Sequence, residues 1–552
     1  MKKNYWLSYF LIIFISLSSL STLNTKPPRL TIIFIVDQLP YQTLVNLYPH
    51  LNGGLTFFMD NGINYVNTFV PHARPATAPG HAGLSTGTYP KDHGIIDNEW
   101  FDKKTKKMVN ADDATATNAA VFSPNGTYDY GKSAQYMMVD GISDQFILQS
   151  EPDAPHYALS ISLKSRSAVT TADKLGKAVW FDGKTGFFTS SKAYFNELPA
   201  WIQTFNQQKK INQLKKVEWK LVYPLSNPAY RFNHIIDYTY INTKHAVRLA
   251  GHMLPIEKQK SYPYHFFEKT PQANQLILDL AQECITTYLD KHPQSHLLLW
   301  VCLSSLDLVG HSYGPGRLEI IDMLYHLDQQ IKNFIKDIQK IVPPQETLFT
   351  LTSDHGCSPL IESVHHQGIN FAQRIDQQQF INRINTYVKK NYNLNNLVQA
   401  LQLPNLYLDQ TLLNSLPPET QTKLIADLKN FLRQQTGVKQ VWTFDELYNS
   451  YFSANQIENY FKNQLFLGRS GSMIMQMYPY VYVTPYTNGA DHLSPYNYDT
   501  HVPLIFYQQE KFEQKKIIEK VWSLQLANSL AQILAIPKPS ASTFGVLPKL
   551  FE

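Results

Sequence analysis

The sequence predicts an α/β fold: a doubly wound, mostly parallel sheet with helices on both faces and inserted segments that form a cap. Three apolar runs support this prediction, because each is too continuously apolar for a half-exposed strand and each leads to an acidic residue. Helical patterns separate them, which is the strand–helix–strand order of parallel sheets. The runs are RLTIIFIVD (29–37), HLLLWVCLSSLD (296–307) and TLFTLTSDHG (347–356).

Two helices flank these runs. The first is predicted to begin with Thr270 as the cap and Pro271 as the first helical residue, since proline is tolerated there. The second lies between the last two runs and keeps apolar residues at helical spacing. Its predicted core-facing residues are Ile321, Leu324, Leu327, Ile331, Phe334 and Ile338.

Two regions differ from this pattern and are predicted to be insertions or a cap. Residues 180–268 are rich in aromatic residues and proline, with short strand-like pieces such as VWFDGKTGFFTSS and WKLVYPL. Residues 375–460 are rich in Asn and Gln and are predicted to be mainly helical. After them, SMIMQMYPYVYVTP and THVPLIFYQ return to strand character, and VWSLQLANSLAQILAI predicts a final helix.

Composition limits the class of protein. The chain has 552 residues, 43% of them hydrophobic, which is enough for a large α/β domain with a substantial core. The net charge of +5 is spread over 49 basic and 44 acidic residues without a long Lys/Arg block. We therefore expect no nucleic-acid partner, since proteins that bind nucleic acids concentrate basic charge in a patch or run.

The N-terminus has the layout of a secretory signal peptide. Lys2 and Lys3 precede an apolar stretch over residues 5–17, and Ser19-Leu20-Ser21 is a small-x-small cleavage site. We expect residues 1–21 to be the signal and residues 28–552 to form an exported domain, periplasmic or secreted. An uncleaved anchor is the alternative, although the apolar stretch is short for a membrane span.

Cysteines are too few for a disulfide framework. Cys284, Cys302 and Cys357 are an odd number, and each lies in or next to an apolar segment. Buried free thiols are therefore expected.

The chemistry-bearing residues follow the apolar runs. Because ligands of doubly wound sheets bind at the carboxyl ends of strands, acids and histidines in these positions are expected to converge. Each alone is more commonly a turn or cap residue, but together they form mixed oxygen and nitrogen sets of the kind that zinc prefers. The set comprises Asp37, Asp307, His311, Asp354, His355 and His501.

The stretch TAPGHAGLSTGTYPKDHGIIDNEW (77–100) combines small hydroxyl residues with two prolines and four glycines. Pro79 and Gly80 favour a tight turn into a helix, whose N-terminal N–H groups attract anions. Thr77 then has two interpretations, a plain helix cap or a nucleophile.

These motifs resemble the alkaline phosphatase superfamily, in particular its bacterial, secreted, monomeric branch, which is related to nucleotide pyrophosphatase/phosphodiesterases. The resemblance rests on Asp37, T-A-P-G-H-A, H-G-I-I-D-N-E-W, S-L-K-S-R, S-S-L-D-L-V-G-H, S-D-H-G and N-Y-D-T-H-V-P, which occur in this order between about residues 30 and 507. Residues 375–460 match poorly.

The resemblance implies an alkaline phosphatase-like core that binds two zinc ions and hydrolyses small phosphate monoesters as a monomer. Asp307, His311 and His501 would bind one ion, and Asp37, Asp354, His355 and Thr77 the other. Thr77 would attack phosphorus to form a phosphothreonine, which water then hydrolyses. His492 is a second choice for the last ligand, and His81, His93, His365 and His366 are interpreted as structural.

The remaining catalytic residues implied by the resemblance are Asn98, Lys164 and Arg166, all substrate-binding. On a strand-like run, Lys164 and Arg166 would project from one face, and two cations on one phosphoryl group favour monoesters over diesters. The chain departs from the family pattern at Asp97, an added carboxylate near an anionic substrate. A phosphodiesterase or nucleotide pyrophosphatase, and a non-catalytic envelope binding protein, are the alternatives.

Overall fold

The computed structural model of the protein describes residues 26–208, 217–230, 264–290, 292–486 and 489–552. The predicted signal peptide, residues 1–21, lies outside them. Among the described residues, none of the helices combines the length and the hydropathy that crossing a membrane requires. The strands, in chain order, are β1 Leu30–Val36, β2 Ile63–Tyr65, β3 Thr68–Phe69, β4 Glu99–Asp102, β5 Lys107–Asn110, β6 Asp113–Ala114, β7 Ala120–Ser123, β8 Gly126–Lys132, β9 His156–Ser162, β10 Lys177–Asp182, β11 Phe187–Thr189, β12 His296–Leu303, β13 Thr347–Thr352, β14 Gln373–Asp376, β15 Val398–Gln402, β16 Asn405–Leu408, β17 Val438–Thr443, β18 Met473–Met477, β19 Val481–Thr484, β20 His501–Val502, β21 Leu504–Tyr507, β22 Lys515–Ile517 and β23 Val521–Trp522.

The main sheet has nine strands in the order β11-β10-β9-β12-β1-β13-β21-β2-β22. Its centre, from β10 to β13, is parallel, and antiparallel pairs occur at β11 and around β21. The predicted mostly parallel α/β sheet is confirmed, and the three apolar runs form its adjacent strands β12, β1 and β13.

Both faces of the sheet are buried, which explains why β1 shows no polar alternation. Leu30, Ile32, Phe34 and Val36 pack into one hydrophobic cluster, and the intervening Ile33 and Ile35 pack into another on the opposite face. The helices that cover the first face are Tyr41–Leu47, Gly54–Asn61, Ala200–Gln208, Pro271–Ile285 and Leu318–Ile338, and the second face is covered by Thr77–Thr86, Ile142–Leu148 and Gln525–Ile533.

The predicted helices after Thr270 and over the spaced apolar residues 321–338 are both present, and the six predicted core-facing residues are buried. Further helices connect the strands or border the site: Pro90–His93, Ala116–Ala119, Ser165–Ala172, His265–Glu268, Ser305–Tyr313, Ile361–His366, Gln410–Asn414, Phe444–Asn449, Ile457–Asn463 and Asn497–Thr500.

The region predicted to be mainly helical is a smaller α+β layer. Helices Gln377–Tyr392 and Pro418–Arg433 pack on a four-stranded antiparallel sheet, β15-β16-β18-β17, around a hydrophobic cluster of its own. Strands β15, β16 and β17 were missed because their apolar runs are short, whereas the strand character predicted for SMIMQMYPYVYVTP is confirmed by β18 and β19.

One strand-like piece of the other predicted insertion is irregular. VWFDGKTGFFTSS forms β10 and β11 of the main sheet, but WKLVYPL (219–225) does not pair as a strand. Instead, Asp322 on helix Leu318–Ile338 accepts hydrogen bonds from Trp219 Nε1 at 2.5 Å and from the Val222 N–H at 2.8 Å. A buried carboxylate therefore satisfies polar groups that a neighbouring strand would otherwise satisfy.

Candidate active site

The three acids that follow the apolar runs meet at one edge of the sheet. Asp37 directly follows β1, and its N–H donates to Leu303 O at the end of β12. Asp354 lies just past β13, and Asp307 lies on helix Ser305–Tyr313, which follows β12. All three are at most 2% exposed, so three carboxyl groups share a dry pocket.

The first group of potential metal ligands contains Asp307, His311 and His492. Asp307 Oδ1 lies 3.3 Å from His311 Nε2 and 3.5 Å from His492 Nε2, and the two Nε2 atoms are 3.2 Å apart. The Nδ1 atoms face backbone carbonyls, at 3.1 Å for His311 and 2.8 Å for His492. This arrangement selects the Nδ1–H tautomer and aims both Nε2 lone pairs at one point.

His501 does not take part in this group, which corrects the preferred ligand of the sequence analysis in favour of His492. The Nε2 atom of His501 lies 2.8 Å from Val66 O, and its ring packs between Tyr41 and Phe69. A strand-side histidine next to an apolar run is thus used for packing. His492 comes from an irregular loop that has no periodic pattern to point to it.

The second group contains Asp37, Asp354 and His81. His81 Nε2 is 3.4 Å from Asp37 Oδ1, and its Nδ1 is 3.3 Å from Asp354 Oδ2. His81 was interpreted as structural: its Nδ1 lies 2.8 Å from Thr77 O in the same helix, and its ring also contacts both carboxylates. The predicted ligand His355 is adjacent: its Nε2 lies 3.3 Å from Asp354 Oδ2, while its Nδ1 faces Gly356 O at 2.9 Å.

The residues of both groups fit divalent cations. Four buried oxygen and nitrogen atoms of the second group and the adjacent His355 have no hydrogen-bond partner among the described residues: Asp37 Oδ1, His81 Nε2, Asp354 Oδ2 and His355 Nε2. Buried polar atoms are rarely left unsatisfied, so such a concentration indicates a missing partner. Carboxylate oxygens with imidazole nitrogens are the ligands of zinc and related metals.

The titration behaviour of the first group points the same way. Burial alone would lower the pKa of His311, but the Asp307 carboxylate raises it to about 9. Burial, together with repulsion from His355 and His311, lowers the pKa of His492 to about 3. The Asp307 carboxylate therefore attracts positive charge to the point that both Nε2 atoms face.

Lys164 occupies the centre of the pocket. Its ammonium lies 3.0 Å from Asp37 Oδ2 and 2.5 Å from Asp307 Oδ2, so it bridges the two groups. Burial lowers the pKa of Lys164, yet the charges of Asp307 and Asp37 outweigh it and raise this pKa. The strand predicted for Lys164 and Arg166 is wrong: Lys164 is the N-cap of helix Ser165–Ala172.

Thr77 is the first residue of helix Thr77–Thr86 and is 1% exposed. Its Oγ1 accepts a hydrogen bond from Lys164 Nζ at 3.4 Å. The predicted helix entry is confirmed, and Gly80 is needed because a Cβ there would lie 2.7 Å from Asp354 O. The absent side chain thus lets the helix approach the second metal group.

Asn98 and Arg166 lie next to the Thr77 helix and to Lys164, respectively. The Asn98 amide oxygen accepts from the Ala78 N–H at 2.8 Å, and no described residue accepts from the amide nitrogen, which can therefore donate to a ligand. The Arg166 Nε is buried without a partner among the described residues. Burial and the charge of Asp97 raise the pKa of the neighbouring Glu99, whereas the positive charges of Arg74 and Arg166 oppose this rise.

Asp97 is neutralised by a residue that the sequence analysis missed. Arg74 Nε lies 2.9 Å from Asp97 Oδ2, and both side chains are buried. Asp97 Oδ1 also accepts from the Asn98 N–H at 2.7 Å. No local pattern identifies Arg74 as its partner, because an ion pair between distant residues leaves no periodic signal.

A cavity of about 480 Å³ opens beside His311. Its wall includes Ser312, Lys269, Thr484 and Tyr486. Through this cavity a small ligand can reach the first group from the solvent.

Comparison with known proteins identifies relatives of this arrangement. The profile of the type I phosphodiesterase / nucleotide pyrophosphatase family matches residues 31–502. Alkaline phosphatase PafA of Elizabethkingia meningoseptica is 26% identical over 568 residues, covering 97% of each chain. Alkaline phosphatase PhoV of Synechococcus elongatus is 28% identical over 334 residues, covering 60% of this chain and 59% of that protein.

A solved structure shares the fold. The crystal structure of wild-type alkaline phosphatase PafA superposes with a TM-score of 0.82 at 22% sequence identity. The likeness covers 95% of this chain and 99% of the other, so the main sheet and the smaller α+β layer both belong to the shared architecture.

Proposed function

The chain belongs to the type I phosphodiesterase / nucleotide pyrophosphatase family, and from this premise we propose that it is a zinc-dependent alkaline phosphatase. It hydrolyses phosphate monoesters through a phosphothreonine at Thr77. The names of relatives such as alkaline phosphatases PafA and PhoV support a phosphoric ester hydrolase.

One observation carries the proposal. The Thr77 hydroxyl lies at the N-terminus of a helix, 3.4 Å from the lysine ammonium that joins Asp37 of the second metal group to Asp307 of the first. A nucleophile between two cation sites suits in-line displacement at phosphorus.

The proposed reaction has two steps. In the first, Thr77 Oγ1 gives up its proton and forms a bond to phosphorus, the bond from phosphorus to the ester oxygen breaks, and the alcohol leaves with one proton. In the second, water attacks phosphorus, the Thr77–phosphorus bond breaks, and inorganic phosphate leaves while Thr77 regains its proton. Lys164, Arg166 and the amide nitrogen of Asn98 stabilise the phosphoryl oxygens in both steps.

The proposed metal ligands form two sets, one for each zinc ion. Asp307, His311 and His492 would hold one zinc ion, and Asp37, Asp354 and His355 the other, with Thr77 and His81 beside it. The chemistry that zinc supplies when bound is a lower pKa for a neighbouring hydroxyl and charge neutralisation at the departing oxygen.

Substrate preference follows from the cations. Lys164 and Arg166 present positive charge to the phosphoryl group, and Asn98 donates from its free amide nitrogen. A monoester carries more negative charge than a diester, so two cations favour it. The alcohol part of the substrate occupies the cavity beside His311.

The decisive experiment compares wild type, Thr77→Ala and Thr86→Ala with aryl phosphate mono- and diesters. Thr86 is a matched control because it is buried at the other end of the same helix, where its hydroxyl bonds to Ala82 O. We expect zinc-dependent monoester hydrolysis and an acid-trapped phosphoprotein in wild type and T86A, and neither in T77A.

Other outcomes select the alternatives. A preference for diesters would assign the chain to the phosphodiesterases of its family. Absence of turnover after zinc is restored would indicate a non-catalytic binding protein.

A further inference from the structure

A buried carboxylate outside both metal groups connects the two loops on which they depend. Asp499 is fully buried, and its carboxylate accepts from Ser358 Oγ at 2.8 and 3.0 Å. It also accepts from the Ser494 N–H at 3.0 Å and from Ser494 Oγ at 2.5 Å. Every one of these donors comes from outside the helix Asn497–Thr500 that carries Asp499.

The two serines sit on the loops that deliver the histidines. Ser358 closely follows His355 in the loop after β13, and Ser494 closely follows His492 in the loop before helix Asn497–Thr500. The rings of His355 and His492 stack with centroids 3.6 Å apart. The position of one imidazole therefore depends on that of the other, although they belong to different metal groups.

Backbone contacts complete the connection. The Gly356 N–H donates to Asp499 O at 2.7 Å, and the Ser358 N–H donates to Asp491 O at 3.0 Å. A Cβ at Gly356 would lie 2.2 Å from Tyr498 O, so glycine is required by close approach of the two segments. The segment with Asp499 is thus packed directly against the loop that carries Asp354 and His355.

We propose that Asp499 is a positioning residue for the metal centre: through Ser358 and Ser494 it fixes the loops that present His355 and His492. The inference rests on the proposed zinc-dependent function. Outer-shell partners that orient metal ligands control metal affinity, and their loss typically costs about 10–100-fold in binding.

The test measures zinc affinity directly, by competition with a chromophoric chelator on the metal-free full-length mature protein. In Asp499→Asn an amide nitrogen replaces one carboxylate oxygen, so one of the two positions that accept from Ser358 and Ser494 becomes a donor. We expect zinc binding to weaken by about 10–100-fold in D499N. Ser358→Ala and Ser494→Ala each remove one serine hydroxyl that donates to Asp499. Each should weaken zinc binding by less than D499N does.

Asp322→Asn is the matched control. Asp322 is also a buried acid that holds a distant segment, through Trp219, Val222 and the Tyr230 hydroxyl, but none of these residues belongs to the metal groups. We expect D322N to lower the thermal stability of the metal-free protein without changing zinc affinity.

The outcomes separate the two proposals. If wild type binds no zinc, the proposed function fails. If wild type binds zinc and D499N binds it equally well, or if D322N weakens binding as much as D499N, the positioning role of Asp499 is overturned. Should D499N not fold, unchanged zinc affinity in both S358A and S494A would overturn it.

Discussion

The Nε2 atoms of His311 and His492 lie 3.2 Å apart, each with its Nδ1 directed at a backbone carbonyl. Two imidazole lone pairs this close repel each other unless a proton or a cation lies between them. Asp307 Oδ1 completes the triangle at 3.3 and 3.5 Å. The relationship makes His492, rather than His501, the expected third ligand.

Separate replacement of each of the two histidines by alanine tests this assignment. We expect His492→Ala to lose more zinc affinity than the roughly 10–100-fold cost of removing an outer-shell partner, because it removes a ligand itself. His501→Ala removes a ring that packs on Phe69 and should lower thermal stability while zinc content stays at the wild-type level. Metal analysis of dialysed protein checks both, and zinc loss confined to H501A would contradict the assignment.

Removal of the Lys164 side chain should destabilise the metal-free protein more than the zinc-loaded protein. Without metal, Lys164→Ala removes the cation that bridges the buried Asp37 and Asp307, and breaking a buried ion pair costs about 3–5 kcal/mol. Bound zinc neutralises the same carboxylates, so the destabilisation should shrink on loading. Thermal unfolding with and without zinc measures the difference.

Lys132→Ala provides the control for this experiment. Lys132 also joins two carboxylates, Asp112 at 2.7 Å and Asp113 at 2.9 Å, but it lies on β8 outside both metal groups. Its removal should destabilise the protein equally with and without zinc. A zinc-dependent effect of the same size in K132A would show that the Lys164 result is not specific to the site.

Arg74 is expected to matter for activity because it neutralises Asp97. In Arg74→Ala the Asp97 carboxylate stays buried beside Asn98 without its counterion and repels an anionic substrate. We expect a lower kcat/KM for monoesters in R74A and partial recovery in the double variant R74A/D97N, which removes the stranded charge. Steady-state kinetics check this, and an unchanged kcat/KM in R74A would contradict it. Lys423→Ala, which breaks an exposed ion pair with Asp427, is the control and should have no effect.

The stability of the protein should decrease as pH rises, because Asp173 keeps its proton in the folded state. Burial, and then the charge of Asp144, raise the pKa of Asp173 well above the usual value of an aspartate, while hydrogen bonds from Ser85 and Ser143 oppose this. Above about pH 4 the unfolded chain loses this proton while the folded protein retains it, so stability decreases as pH rises until the folded-state carboxyl also ionises.

Asp173→Asn should remove this slope, because the amide is neutral at every pH and nearly the same size as the carboxyl group. We expect the thermal stability of D173N relative to wild type to increase from pH 4 upward, measured on metal-free protein so that zinc release does not contribute. Asp337→Asn, at a half-exposed position on helix Leu318–Ile338, should give a curve parallel to wild type. Parallel curves for D173N would disprove the proposed burial effect.

Prediction from sequence was most reliable where a local pattern is enforced by burial. The apolar runs ending near Asp37 and Asp354 had to be strands covered on both faces, and helix 318–338 repeats its apolar residues at the helical period. The motif around Thr77 likewise placed that residue at a helix start. Cys284, Cys302 and Cys357 are buried and free, as expected.

The sequence by itself therefore determined the α/β class, the strand-end acids and the position of Thr77, because each depends on neighbours within a few residues. Only the tertiary structure decided between His492 and His501, brought His81 to the carboxylates and paired Arg74 with Asp97. These relationships join residues from separate loops, and loop geometry is set by packing and hydrogen bonds across the fold rather than by any period in the chain. Asp499 illustrates the reason: its partners Ser358 and Ser494 are identified by distance alone.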